Sequence, residues 1–515
     1  MSDTTQAMVE IWRRHLGDQP IGPDDDFYAL GGDSLIALRV VADANARGIP
    51  VELRDLLYFP TVSELVAAVA GRDGPADGVG DYQPFSLLDP YDRALMPAEV
   101  RDAWPASALQ VGLIYLSEAS GDPRLYQDLI GVEVTGPFDG ALFTAALDEL
   151  CGRHQALRSS FDLGGFSVPA QLLWSSVDPP LTVEYATTAE PVGRWRETQL
   201  SQAIDWGRPP VLRCHVVALE GRFHVTLTLH HAILDGWSYA RLCYELLALY
   251  DARLTGRPAD LPLPPASGQR EFLRLEREAI DNREAAAFWH AEADVPGLLL
   301  DRGRFGGAAD PREMLTFEVG EALLEGLRAA AGTIGVPLKS LVLGCHVRAL
   351  STWTGRDRDV VTGLTVNGRP ETAGADLLVG LFLNTVPIRV PVVPEDQVEL
   401  CRGALAAEQR GMRHRRYPLA MIEQRLGRPP FDAAFNFTHF HVYDRLAQLT
   451  AIRPGAWWAF DKASFPFMVD FMINSRDLGT AVAVAYDPDL FDKAQATTYL
   501  ELYRSALHAA AGMPD

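Results

Sequence analysis

Residues Leu227–Ser238 read LTLHHAILDGWS: an apolar alternation, two adjacent histidines, and an Asp-Gly pair beginning four residues after the second histidine. The alternation starts earlier, as FHVTLTL over 223–229, where Val225, Leu227 and Leu229 recur with the two-residue period of a β-strand. Successive strand residues point to opposite faces, so His230 and His231 are poorly placed to share one metal ion. For the same reason only one of them can face a given cavity, which frees the other for a structural role. Asp235 can hold the following loop through a buried ion pair, and Gly236 leaves an opening for a narrow ligand. Taken alone, the residues leave three readings open: a hydrogen-bonded core histidine before a turn, a catalytic histidine, and a metal site, the weakest of the three.

Outward from this stretch the pattern is mixed. SYARLCYELLALYDARL is helical, and DVVTGLTV and GTAVAVAYD read as strands, which predicts an α/β body from about residue 100. The Pro-rich LPLPPASG at 261–268 interrupts it and marks the expected junction between two lobes, 100–268 and 269–515. Upstream, residues 4–16 carry Met8, Ile11, Trp12 and His15 at helical spacing, and SLIALRVVADANARG continues it through Leu35, Leu38 and Ala42. A short element near 54–58 follows, then TVSELVAAVAG, with Thr61 and Glu64 in capping-box spacing and Gly71 at its end. These predict a small four-helix domain over 1–71. GRDGPADGVGDYQP at 71–84 reads as a linker, and the linking segment is taken as 72–99. The Gly-Asp-Pro stretch reaches roughly 45 to 50 Å at most and spans about 20 Å on average.

The 515 residues include 68 acidic and 46 basic side chains, a formal charge of −22 that repels phosphate backbones, so nucleic acid is not an expected partner. Five scattered cysteines with no C-x-x-C pair argue against a disulfide framework or a structural zinc site. The opening MSDTTQAMVEIWRRH lacks a signal-peptide layout, and no apolar run approaches a membrane span. The expected location is cytoplasmic, with no membrane partner.

Ser34 follows Gly31-Gly32-Asp33 at the first turn of a predicted helix, where a phosphodiester on its hydroxyl would meet the positive helix end. The alternative is a plain N-cap after a glycine turn. Within DDDFYALGGDSLIALRV, followed by FPTVSEL, the stretch resembles the peptidyl carrier domains of nonribosomal peptide synthetases over 1–71. That resemblance implies 4′-phosphopantetheine attached to Ser34.

HHAILDGWS in turn resembles the HHxxxDG motif of condensation domains, relatives of chloramphenicol acetyltransferase. RHQALRSSFD (153–162), VTGLTVNGRP (361–370), VGLFLNTVPIRV (379–390), RRYPLAMI, FDAAFNF and AYDPDLF match further blocks of that family in order. The resemblance implies a two-lobed, V-shaped pseudodimeric α/β body in which His231 faces the reaction centre. His230, Asp235 and Gly236 would support it, and Arg369 would pair with Asp235.

The reaction implied is peptide-bond formation: a donor aminoacyl or peptidyl thioester on Ser34 passes to the amine of an acceptor on a downstream carrier. The expected partners are that acceptor carrier, an upstream adenylation domain and a phosphopantetheinyl transferase, and the chain reads as a piece of a larger synthetase. An α-amine has a pKa of roughly 8, so about a tenth is neutral at pH 7 and placement matters more than strong base catalysis.

Some positions depart from the family. Gly112 stands where arginine is common in the S-x-A-Q-x-R motif, as in the branch that includes D-donor and dual epimerisation/condensation domains. Gly121, Asp122 and Leu116 fit the extra motif of dual domains, but Ile114 and Tyr115 occupy its histidine positions. Epimerisation therefore stands as the alternative activity, and a non-catalytic recruitment platform as the alternative from another class.

Overall fold

The computed structural model describes residues 2–17, 19–72, 83–295, 313–393, 396–460, 465–475 and 479–513. Residues 73–82, the centre of the stretch read as a linker, lie outside them.

The N-terminal unit holds α1 (Asp3–Leu16), α2 (Ser34–Ala46), α3 (Leu53–Tyr58) and α4 (Val62–Val69). Ser2, Asp33 and Thr61 cap α1, α2 and α4, each accepting from backbone N–H groups that a helix start leaves without partners. Met8, Ile11 and Trp12 are fully buried in a core shared with Phe27, Val40 and Leu56, while His15 stays on the rim, 2.9 Å from Asp43. The glycine pair has a steric cause. Gly31 sits at φ +93°, and a Cβ on Gly32 would lie 2.4 Å from the Phe27 ring and 2.6 Å from its carbonyl oxygen. Only glycines let the loop pass under Phe27 and start α2 at Ser34.

The body begins with strands β1 (Val100–Pro105), β2 (Gln127–Thr135), β3 (Ser159–Asp162), β4 (Ala170–Trp174), β5 (Leu181–Tyr185), β6 (Leu212–Leu219) and β7 (Arg222–His230). It continues with β8 (Glu313–Glu318), β9 (Val360–Asn367), β10 (Leu383–Val390), β11 (Ala433–His439), β12 (Arg453–Phe460), β13 (Phe467–Ser475) and β14 (Gly479–Tyr486). The helices of the first half are α5 (Pro90–Ala94), α6 (Ala108–Ser120), α7 (Gly140–Arg153), α8 (Glu190–Leu200) and α9 (Gly236–Thr255). Those of the second half are α10 (Arg270–Asp281), α11 (Arg283–Ala293), α12 (Glu321–Ile334), α13 (Leu338–Thr354), α14 (Gln397–Met412), α15 (Leu419–Leu426) and α16 (Lys493–Ala510).

Each lobe is a sheet covered by helices around its own apolar core. One sheet runs β12-β2-β7-β6-β5 and the other β10-β9-β11-β13-β14-β8, beside a small β1-β4-β3 sheet. FHVTLTL becomes the central strand β7, and the helical pattern after Gly236 becomes α9, most of it buried.

Two features differ from the boundaries drawn on the sequence. The end of the expected linker is structured: α5 lies within it, and Leu88 packs with Val100 and Ala103 of β1. β12 belongs by sequence to 269–515, yet it pairs antiparallel with β2 and so stitches the second half of the chain into the first lobe's sheet. Gly131 of β2 permits this crossing, since a Cβ there would meet the Trp458 ring at 2.1 Å. Among the described residues no single helix is long and apolar enough to cross a membrane.

Candidate active site

β7 ends on His230, and the chain turns immediately into α9, so the two histidines leave the sheet edge in different directions. His230 points inward and is 2 % exposed, edge-on to Trp206 with ring centroids 4.1 Å apart. Its Nδ1 accepts from the Ala232 N–H at 3.0 Å, and its Nε2 lies 2.8 Å from Ser117 Oγ. Since Nδ1 accepts, the proton is on Nε2 and the ring is neutral. Burial pushes its pKa well below the usual range, and the neighbouring His231 adds to the effect.

His231 faces the other way, into a cavity of about 1090 Å³ between the lobes. Its backbone N–H donates to the Tyr126 carbonyl at 2.8 Å, and its Nδ1 lies 3.1 Å from Asp128 Oδ2. Asp128, on β2, is a site residue that the motif reading missed. An imidazole with an orienting carboxylate is an arrangement that can serve as a base.

Asp235 caps α9, accepting from the Ser238 N–H at 2.8 Å, and takes a second N–H from Phe382 at 3.2 Å. Arg369, just past the end of β9, closes on it in a two-pronged pair, Nη1 to Oδ2 at 2.8 Å and Nη2 to Oδ1 at 3.0 Å. Both side chains are essentially inaccessible, and the guanidinium also reaches Ser238 Oγ at 2.8 Å and lies 4.5 Å from the centroid of the Phe382 ring. The pair thus joins the two lobes beside the histidines. Gly236 is the first residue of α9 and lines the cavity, where a Cβ would come within 3.8 Å of Phe440.

The RHQALR block is structural. Arg153 and His154 meet the fully buried Glu245 of α9 at 3.1 and 2.9 Å, and Arg158 donates to the backbone carbonyls of Cys151 and Trp174. Burial alone would raise the Glu245 pKa, but His154, Arg241 and Arg153 outweigh it and hold the carboxyl at about 2. Glu276 of α10 shows the opposite balance. Burial in the cavity wall lifts it to about 7, against the weaker opposing effects of the Ala108 N–H and Arg277.

The carrier unit docks on the same cavity. Gly31, Gly32, Asp33 and Leu35 line it, so the backbone at Ser34, the first residue of α2, lies at its rim. The remaining wall is largely apolar, with Phe437, Phe440, Trp457 and Met472. A cavity of this size, largely apolar and lined in part by the carrier, has room for a slender acylated arm. Asp33, His439 and His441 place three possible ligand atoms within 4.8 Å of one another, but the 2.6 Å contact of His441 Nε2 with Asp33 is a hydrogen bond that needs no ion.

Residues 100–515 match the condensation domain family and residues 6–69 the phosphopantetheine attachment site family. The chain is 36 % identical over 99 % of its length to the AMB antimetabolite synthetase AmbE of Pseudomonas aeruginosa. It is 24 % identical over 99 % to surfactin synthase subunit 1 of Bacillus subtilis. It spans only 24 % and 14 % of those two relatives.

Among solved structures, the first condensation domain of the CDA synthetase superposes with a TM-score of 0.66 at 19 % identity, covering 80 % of this chain and 97 % of that one. The X-domain from teicoplanin biosynthesis does so with 0.65 at 21 %, covering 81 % and 96 %. These likenesses establish the two-lobed, chloramphenicol-acetyltransferase-like fold, which hosts more than one activity. Together with the family matches and the cavity shared by carrier and body, they show that this chain is a carrier domain with a phosphopantetheine attachment site followed by a condensation domain, and belongs to the condensation family of nonribosomal peptide synthetases.

Proposed function

We propose that the chain forms peptide bonds, moving a donor aminoacyl or peptidyl group from the carrier at Ser34 to the amine of an acceptor held on a downstream carrier. One observation supports this above the others: His231, with Asp128 behind it, lines the same cavity as the first residues of the carrier helix. The phosphopantetheine on Ser34 supplies the thioester. With that thioester in place, His231 Nε2 would take the proton that the amine sheds as its nitrogen bonds to the carbonyl carbon, and would return it to the departing thiolate, leaving an amide and a free thiol. Asp128 holds the ring in the tautomer that leaves Nε2 ready to accept, and it stabilises the imidazolium formed.

General-base assistance of this kind contributes about 10²- to 10⁴-fold. Much of the remaining acceleration comes from holding the two reactants together. His230, Asp235, Gly236 and Arg369 act by position: a neutral strut, a lobe-to-lobe tie and an open passage beside the base. In this reading the carrier comprises 1–71, the linker 72–99, and the lobes 100–268 and 269–515. An adenylation domain and a phosphopantetheinyl transferase load the carrier.

The test is to load Ser34 with a short peptidyl-pantetheine of known stereochemistry and add a separate carrier bearing an aminoacyl thioester. The chain is then followed by intact-protein mass spectrometry with chiral analysis. Transfer that disappears in His231→Ala is the expected result. Inversion of the donor on Ser34 without transfer would make the His231–Asp128 pair an epimerisation base. A product rate unchanged by His231→Ala would refute catalysis by this residue.

A further inference from the structure

Asp33, the residue before the attachment serine, uses its two carboxylate oxygens for different tasks. Oδ1 caps its own helix, accepting from the N–H groups of Leu35 and Ile36 at 3.0 and 2.9 Å. Oδ2 crosses to the body, where His441 Nε2 lies at 2.6 Å and His439 Nδ1 at 3.5 Å. The two imidazoles come from the end of β11 and the residue-441 turn and lie with ring centroids 3.5 Å apart. Asp33 is largely shielded. Burial works to raise its pKa, but hydrogen bonds from both histidines and the nearby charge of His441 outweigh that and keep it ionised.

Other contacts along the carrier follow the same seam. Arg39 of α2 pairs with Asp376 at 2.8 Å, Leu38 is buried with Trp104 and Phe382 of the body, and Gln409 of α14 donates to the Leu57 carbonyl at 2.7 Å.

We infer that His439 and His441 form a carrier-recognition pair, selecting a carrier whose residue before the attachment serine is an acid and holding the root of its arm at the cavity rim. The chemistry is selective because one carboxylate oxygen of Asp33 is the acceptor that both ring nitrogens face. A neutral side chain at 33 gives up the charge-assisted part of the bond, and a basic one is repelled. The same bond has to open before Ser34 can present itself to a loading enzyme. The pair therefore sets how long the carrier stays seated. The inference does not depend on which reaction His231 performs.

The test is hydrogen–deuterium exchange of the full chain, comparing the unaltered protein with Asp33→Asn and with the double variant His439→Gln/His441→Gln. Asparagine caps a helix about as well as aspartate, so α2 stays capped. The histidine variant leaves the carrier sequence untouched. Both variants are expected to raise exchange at least threefold in peptides on both sides of the seam, around 26–36 and 440–448. Ser34 should also be phosphopantetheinylated several-fold faster. Unchanged exchange in both variants overturns the inference, as does a rise confined to the carrier in Asp33→Asn, which would leave Asp33 as a cap only. A rise produced in the unaltered protein by a chelator alone also overturns it, since the three groups would then be holding a metal.

Discussion

Replacing Asp128 with asparagine keeps the side chain's size and its ability to accept from the His231 ring but removes its charge. The ring nitrogen and the carboxylate oxygen are 3.1 Å apart, with 31 % and 14 % of the two side chains exposed. Unit charges about 4 Å apart interact by about 1 kcal/mol in water and about 4 kcal/mol at an effective dielectric constant near 20. A pair exposed to this degree falls between those limits, at about 1 to 3 kcal/mol. If His231 becomes an imidazolium during the reaction, that stabilisation is lost from the transition state, and the transfer rate falls roughly 5- to 150-fold. The assay is single-turnover transfer from loaded Ser34 to an acceptor carrier, read by intact-protein mass spectrometry across the range in which histidine titrates. A rate within twofold of the unaltered protein would refute the reasoning. His231 would then act by placement alone.

Removing one member of the inaccessible Asp235–Arg369 pair strands the other, so Arg369→Met is expected to destabilise the body by about 3 to 5 kcal/mol. Arg369→Lys should recover only part of this in denaturant unfolding, because lysine cannot make the two-pronged contact. Glu276, held at about 7 by burial, lowers stability as pH rises from about 4.5 through 7, since the unfolded chain ionises first. Glu276→Gln should therefore match the unaltered protein at pH 4 and exceed it by a few kcal/mol at pH 8, measured by denaturant titration at both. Gly32→Ala forces a methyl into the Phe27 ring and carbonyl, so the carrier's unfolding transition should fall by about 1 to 3 kcal/mol while the body's stays in place.

What the sequence discloses depends on how local each interaction is. β7, α9 and the four carrier helices are written in short-range periodicity and caps, and their elements lie where the patterns put them. Strand alternation says that only one of His230 and His231 faces the cavity, and the family resemblance says which. Arg369 is legible only through the family's GRP segment, since nothing in its own neighbourhood names a partner 134 residues away. Asp128 escapes because one acid in an apolar alternation reads as a solvent-facing strand residue until β2 is laid beside β7. His439 and His441 escape for a stronger reason. Their partner Asp33 is about 408 residues earlier, in a different domain. The exchange of β12 into the first lobe carries no local signature at all, apart from a glycine at 131 where a ring must pass.

The distribution of strong and weak ties follows what each joint has to do. The lobes are joined by elements that are costly to separate: a strand shared between halves of the chain and an ion pair with no access to water. Distances around His231 are therefore set by covalent order and buried charge. The carrier is joined differently. Among the described residues its seam includes the Asp33 bonds, the Arg39–Asp376 pair, one glutamine to a carbonyl, Leu38 and Met412, and the polar members remain partly exposed. Partly exposed pairs contribute about 0 to 1 kcal/mol each. Such a joint holds the carrier helix against the cavity when no other enzyme competes for it, yet opens at little cost. Under the proposed function, a carrier that is loaded elsewhere and returns to His231 needs that asymmetry, with a fixed site and a seam weak enough to release.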